Sequence, residues 1–265
     1  MTTRSRTRRR QTPVEREAAL MVVSASPEQV IRRLAALRHL GAFELRAKGV
    51  ESIHDTYLDT PDGRLAAKRI ALRTRMIKDG GSLITLKSSG HESGGVSSRE
   101  ELELPLNMKN AGRVLHELSR MVSADLPTPR AFIQAKWSSA SSRLVSSQVR
   151  KTRRMIREVV HRKRVIGEMA VDRVIYGFDG LRVSLEEVEV EAKQRGTRRD
   201  VRDFVRELQR QFPDDLLPWP HSKLATGKAL EASARAGRLR SLVTSRKRLK
   251  PAALPALKRQ LQRES

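Results

Sequence analysis

Along most of this chain apolar and polar residues alternate one by one, and the alternation is interrupted three times by apolar residues spaced three or four apart. A period of two sends successive side chains to opposite faces of a strand, whereas a spacing of three and four builds one face of a helix. The pattern therefore predicts many short strands with a few helices laid against them. Residues 14–23 read as the first strand. A helix start follows in Ser26-Pro27-Glu28-Gln29, with Ser26 as N-cap, Pro27 at the first helical position and Gln29 completing a capping box. Its stripe of Val30, Ile31, Leu34, Leu37 and Leu40 ends at Gly41, the expected stop. Alternating runs at 54–58, 70–76, 82–87 and 99–104 are divided by Asp59-Thr60-Pro61-Asp62-Gly63, by Lys78-Asp79-Gly80-Gly81 and by a Gly/Ser-rich loop at 88–98. Helical spacing returns at 108–121 and at 198–211, the latter started by Thr197. Residues 149–160, 165–176 and 181–193 again read as strands, turning at His161-Arg162-Lys163-Arg164 and at Phe178-Asp179-Gly180. About eight strands result, in two halves each followed by a helix.

What alternates with the apolar residues is charge. Glu15 and Glu17 share a strand face, as do Arg73 with Arg75, Thr85 with Lys87, Arg99 with Glu101 and Glu103, Arg150 with Thr152 and Arg154, Glu168 with Asp172, and Glu187 with Glu189, Glu191 and Lys193. The other face carries Leu72, Thr74, Leu86, Leu102, Leu104, Val188 and Val190. One Arg-x-Arg or Glu-x-Glu pair is the ordinary solvated face of an antiparallel sheet. Repeated over so many strands, the pattern fits a barrel turned inside out: an α+β fold with an eight-stranded antiparallel closed β-barrel, a tunnel with a charged interior, and helices covering the apolar outside. Like charges stacked on one face repel unless a cation sits among them, so the two acidic ladders point to a bound metal ion. Arginine and lysine in a desolvated groove bind phosphate oxygens, and a divalent cation held by carboxylates bridges the same oxygens.

Composition narrows this picture. The chain has 265 residues, 38 % of them hydrophobic, and a formal net charge of +24. Residues 1–13 hold five arginines and no acid, and residues 235–265 hold ten Lys or Arg against Glu264, so both ends read as solvated basic tails drawn to polyanions. A leaky apolar stripe of Leu249, Leu254, Leu257 and Leu261, interrupted by Pro251 and Pro255, does not change that expectation. Cysteine is absent, which excludes disulfides, thiolate metal sites and a cysteine nucleophile. No apolar run approaches the roughly 20 residues of a membrane-spanning helix, and the expected location is the cytoplasm. The Arg-rich opening lacks the apolar face of a transit peptide. His54, His91 and His221 have no partner at ligand spacing and read as surface or loop histidines.

The charged motifs, in their order along the chain, resemble those of the CYTH family of triphosphate tunnel metalloenzymes, over roughly residues 14–232. Glu15-Arg16-Glu17-Ala18-Ala19 is similar to the family's Glu-x-Glu-x-Lys, Tyr57-Leu58-Asp59-Thr60 to its Tyr-x-Asp-Thr, Leu72-Arg73-Thr74-Arg75 to its Leu-Arg-x-Arg, and Thr85-Leu86-Lys87 to its Thr-Leu-Lys. Arg99-Glu100-Glu101-Leu102-Glu103 resembles its Arg-x-Glu-x-Glu, Glu189-Val190-Glu191-Ala192-Lys193 its late Glu-x-Glu-x-Lys, and Ser222-Lys223 with Gly227 its Ser-Lys…Gly. The resemblance implies that Arg73, Arg75, Lys87, Arg99, Arg154, Lys193 and Lys223 grip phosphates, and that Glu15, Glu17, Glu189 and Glu191 hold Mg²⁺ or Mn²⁺. Glu15, Glu17 and Lys87 would be the catalytic set. Glu101, Glu103, Glu168 and Asp172 would be additional inward acids tuning metal and water. Ser222 is read as the N-cap of the last helix.

The expected layout is a basic tail over 1–13, a tunnel domain over 14–232 and a basic tail over 233–265. The expected activity is divalent-metal-dependent hydrolysis of inorganic triphosphate or a small organic triphosphate. One departure supports an alternative: Ala19 replaces the signature lysine of the first strand, which favours a catalytically weak module binding polyphosphate or nucleotides. Charge alone would suit a nucleic-acid binder contacting polyanions through the tails. Aromatic residues are only 3 % of the chain, which leaves few platforms for base stacking.

Overall fold

The computed structural model describes residues 14–135, 143–178, 180–193 and 195–263; the expected N-terminal tail lies outside these. In chain order the elements are β1 (Val14–Val22), α1 (Pro27–Ala36), β2 (His39–Leu40), β3 (Phe43–Asp59), α2 (Arg64–Ala67), β4 (Ala71–Ile77), β5 (Gly81–Lys87), β6 (His91–Ser93), β7 (Val96–Pro105), α3 (Met108–Met121), α4 (Pro129–Gln134), β8 (Val145–His161), β9 (Arg164–Phe178), β10 (Leu181–Ala192), α5 (Arg198–Gln211), β11 (Leu216–Pro218), α6 (Lys223–Arg235), α7 (Leu239–Leu242) and α8 (Leu254–Arg263). Hydrogen bonding runs β1-β10-β9-β8-β3-β4-β5-β7 and returns from β7 to β1, so eight antiparallel strands close into a ring. β1 closes the seam, pairing Glu15 with Arg99 of β7 on one side and Glu17 with Glu191 of β10 on the other. The short strands β2, β6 and β11 flank the ring.

Two strands are longer than the alternation suggested. β3 starts at Phe43 rather than near residue 54, because the bulge at Gly49, where the register to β8 shifts, hides the first half of the strand from a period-two reading. β8 likewise begins at Val145. The first helix is shorter: it ends at Ala36, and Leu40 pairs with Phe43 across a turn in which Gly41 has φ +55°. Ser26 is the N-cap and Pro27 sits at the helix start, but the Ser26 side chain makes no cap hydrogen bond and the expected box with Gln29 does not form. At α5 the box is complete, between Thr197 and Asp200.

The apolar faces point outward, as the alternation required, and three groups of helices cover them. α1 and α5 bury Leu34, Phe204 and Leu208 against Leu20, Val188 and Val190. α2, α3 and α4 bury Leu65, Leu115 and Phe132 against Leu72, Ile84 and Leu86. The third cover corrects the expectation of a tail over 233–265. α6 continues to Arg235, and the chain then folds back, so that Leu249, Leu254, Leu257 and Leu261 pack with Trp219, Leu230 and Val183 on the outside of β9 and β10. Pro251 and Pro255 break the stripe into a single 3₁₀ turn followed by α8, without abolishing it. Arg248 pins the returning segment by pairing with Glu28 of α1 and, at 3.3 Å, with Glu186 of β10. Among the described residues no helix is long and apolar enough to cross a membrane.

Leu257 is 1 % exposed, so Leu257→Ala is expected to lower unfolding stability by about 2–4 kcal/mol in urea titrations. A solvated tail would give no change.

Candidate functional site

The ring encloses a cavity of about 910 Å³. Glu15 and Glu17 of β1, Arg73 and Arg75 of β4, Lys87 of β5, and Arg99, Glu101 and Glu103 of β7 line it. Arg154 of β8, Glu168 of β9, Glu189 and Glu191 of β10, Lys193 just beyond β10, and Lys223 of α6 line it as well. The pleat thus brings together all but one of the residues to which the resemblance gave a site role. The exception is Asp172, which lies fully buried beneath the wall and touches cations from behind.

One wall is built on Asp55, a residue the sequence reading did not single out. β3 runs between β4 and β8, and the register sets Asp55 directly across from Arg75 on one side and Arg150 on the other. Arg75 donates to both Asp55 oxygens at 2.7 and 3.1 Å, Arg150 donates at 2.5 Å, and Arg73 lies 3.7 Å away. Burial works against a charged Asp55, yet Arg73, Arg150 and Arg75 hold it far below the usual carboxylate range. The Tyr57 hydroxyl accepts from Arg150 at 3.0 Å and Arg73 at 3.4 Å, and both guanidiniums lie over its ring. Arg73 also donates to Glu103 at 3.1 Å. The signal for Asp55 was present in the sequence: alternation through 54–58 places Asp55 and Tyr57 on one face.

Asp172 of β9, on the far side of β8 from Asp55, anchors cations in the same way. Arg154 of β8 stands across from it and donates to both its oxygens at 2.9 and 2.6 Å, and Lys223 approaches to 3.1 Å. Lys223 reaches this point because α6 starts at the tunnel mouth, capped by Ser222, whose hydroxyl accepts from Ala225 N. Gly227 permits the approach: a Cβ there would stand 2.3 Å from Gln148 Nε2. The Ser-Lys…Gly motif is therefore a cap, a tunnel cation and a close contact. Asp172 is an anchor for cations and not a residue open to metal or water.

The acidic side is crowded. Glu17 faces Glu191, and Ala19 faces Glu189, across the β1–β10 ladder. Burial, then the charges of Glu15 and Glu189, push Glu17 up. Burial, with Glu15 and Glu17 nearby, pushes Glu191 up to about 7 against the pull of Lys193. Glu187 is 1 % exposed, neither of its oxygens receives a hydrogen bond, and burial with Glu189 and Asp172 pushes it up to about 8. Glu189 is the exception: despite burial, Lys223 and Arg154 hold it well below the usual range. As the side chains stand, each glutamate is turned onto a cation, and among the described residues no three acidic or imidazole groups converge closely enough to hold an ion. The donor chemistry nevertheless fits a hard divalent cation, because the acids offer only carboxylate oxygens and repel one another. His221 lines the cavity mouth, and His54 lies on the outer side of β3.

The sequence matches the family model described as the CYTH domain over residues 27–214. Among solved structures, a candidate adenylyl cyclase from Hippeastrum, in which a triphosphatase activity is described as dominant, superposes with a TM-score of 0.54 at 20 % identity, covering 81 % of this chain and 95 % of that one. A candidate adenylate cyclase from Bacillus halodurans gives 0.48 at 18 %, covering 78 % and 94 %. No curated protein matches the sequence.

Asp55→Asn would leave three guanidiniums around a neutral amide, and a broken buried ion pair costs about 3–5 kcal/mol. The folded Asp55 titrates below its unfolded value of about 3.9, so its stabilisation is full above that pH and is lost as pH falls through the folded value. The stability gap between wild type and Asp55→Asn in urea unfolding is therefore expected to be constant from pH 7 to about pH 5 and to shrink below about pH 4.

Proposed function

The chain belongs to the CYTH domain family, and from that premise we propose that it hydrolyses inorganic triphosphate or a small organic triphosphate in the tunnel, with Mg²⁺ or Mn²⁺ as cofactor. The observation that carries this reading is the convergence of Arg73, Arg75, Lys87, Arg99, Arg154, Lys193 and Lys223 with Glu15, Glu17, Glu189 and Glu191 on one enclosed cavity. Such a lining matches a polyanion and its counter-cation, and few other ligands. Arg73 and Arg75, held by Asp55, form a fixed clamp for one end of the triphosphate; bidentate guanidinium contacts fix orientation as well as affinity. Lys87 and Arg99 would add further contacts from β5 and β7, and Arg154, Lys193 and Lys223 from β8, the end of β10 and α6. Charge accumulating on the departing phosphate is met by cations already in place, which costs no reorganisation at the moment of bond cleavage. Glu15, Glu17, Glu189 and Glu191 would hold the divalent cation, which supplies charge neutralisation and lowers the pKa of a water. No covalent nucleophile is required.

A second reading, a catalytically weak polyphosphate- or nucleotide-binding module, is favoured by Ala19. The position faces Glu189 across the ladder and carries no cation; Arg154 and Lys223 serve Glu189 instead.

Phosphate release from inorganic triphosphate, ATP and thiamine triphosphate, each with and without Mg²⁺ or Mn²⁺, decides between the two. Metal-dependent release supports hydrolysis, whereas a raised melting temperature without release supports the binding module. Arg73→Ala is expected to lower turnover by about 10²–10³, the usual effect of removing a preorganised charge, and Ala19→Lys to raise it. Turnover indifferent to Arg73→Ala would remove the tunnel from the reaction.

A further inference from the structure

The charges lining the tunnel are not waiting for ligands; they hold one another. Lys87 lies 2.7 Å from Glu15 and 3.3 Å from Glu101, Arg99 lies 2.6 Å from Glu17, Arg154 lies 2.6 Å from Glu189, and Lys193 lies 2.6 Å from Glu191. Lys223 also contacts Glu189. Each of the four glutamates proposed to hold metal is thus engaged by a cation proposed to hold phosphate. Asp55 and Asp172 differ from these four: they are fully buried, do not line the cavity, and can keep their arginines whatever the lumen contains. The pairs therefore divide into fixed anchors behind the wall and exchangeable pairs at its surface.

Resting on the reading of this cavity as the triphosphate site, we propose that the exchangeable pairs are a self-inhibiting lattice: the four lumen glutamates occupy the phosphate-binding cations until the acids are drawn away. A dication that takes the glutamates frees Arg99 and Lys193 and leaves Lys87 to Glu101 and Arg154 to Asp172, and a triphosphate that takes those cations frees the glutamates. Either ligand alone must break ion pairs and leave the opposite charges uncompensated in a partly desolvated cavity. Both together give each set of charges an opposite partner. The two ligands consequently bind with positive coupling carried by the protein, and linkage makes that coupling reciprocal. It is additional to any complex the ligands form with each other in solution.

The separate arms of the cycle test this without a metal–triphosphate complex being present. With metal removed by chelator, Glu17→Gln and the double variant Glu17→Gln/Glu191→Gln are expected to bind inorganic triphosphate about threefold to tenfold more tightly than wild type in isothermal titration calorimetry, because Arg99 and Lys193 are released and a repelling acid is gone. With triphosphate absent, Lys193→Met is expected to bind Mn²⁺ more tightly than wild type, read by electron paramagnetic resonance. Melting curves confirm that each variant is folded, and Glu191→Gln, at the more exposed pair, replaces any that is not. Equal or weaker metal-free triphosphate binding by the glutamine variants overturns the lattice. If tighter binding is found while wild type releases no phosphate with metal, the lattice stands and the hydrolase reading fails. If wild type binds no triphosphate under any condition, both fail.

Discussion

A carboxylate or guanidinium taken out of water is tolerated only beside its opposite, and the eight-stranded ring is arranged around that condition. A ring whose pleat turns charged rows inward has no apolar core within it, so everything inside must be neutralised there. Asp55 and Asp172 meet this requirement from beneath the lining, Asp55 on β3 gathering arginines from β4 and β8, and Asp172 on β9 gathering Arg154 from β8 and Lys223 from α6. The apolar cores lie instead between the ring and its helices, which is why three separate groups of helices are needed where a conventional barrel would pack its own interior.

The net charge of +24 describes the exterior far better than the tunnel. Inside, Glu15, Glu17, Glu101, Glu103, Glu189 and Glu191 offset most of the cations they face. Outside, Arg199, Arg206 and Arg210 of α5 and the basic residues of the β8–β9 turn stand largely in water, and the nine basic residues from Arg235 to Arg259 lie on a folded surface instead of trailing from it. Such a field raises the encounter rate of a polyanion without fixing its pose.

The ring and most of its lining were legible in the sequence because both follow from a period of two. Arg73 and Arg75, or Glu189 and Glu191, cannot point anywhere but to one face once their strand is recognised. What escaped was whatever the period does not encode. Asp55 sits on the right face in the right strand, but its importance comes from register, from facing Arg75 and Arg150 at once. Asp172 was placed inward correctly, yet depth behind the lumen cannot be read from alternation. The β3 bulge at Gly49 broke the rhythm and concealed half a strand. The C-terminal segment was misread because charge density dominated its composition; Leu249, Leu254, Leu257 and Leu261 are few, but they suffice to seat it on the third core.

The closing seam gives the fold a temporal order. β1 lies between β7 and β10, so the strand bearing Glu15 and Glu17 cannot be fully paired until residues 187–191 have been synthesised. Its acids can meet Lys87 and Arg99 through β7 earlier, but the ring stays open until β10 arrives. Contacts spanning so much of the chain are slow to form. The enclosed lumen therefore exists only where residues from the two ends of the ring have met, and its shape depends on the most distant pairing in the sheet.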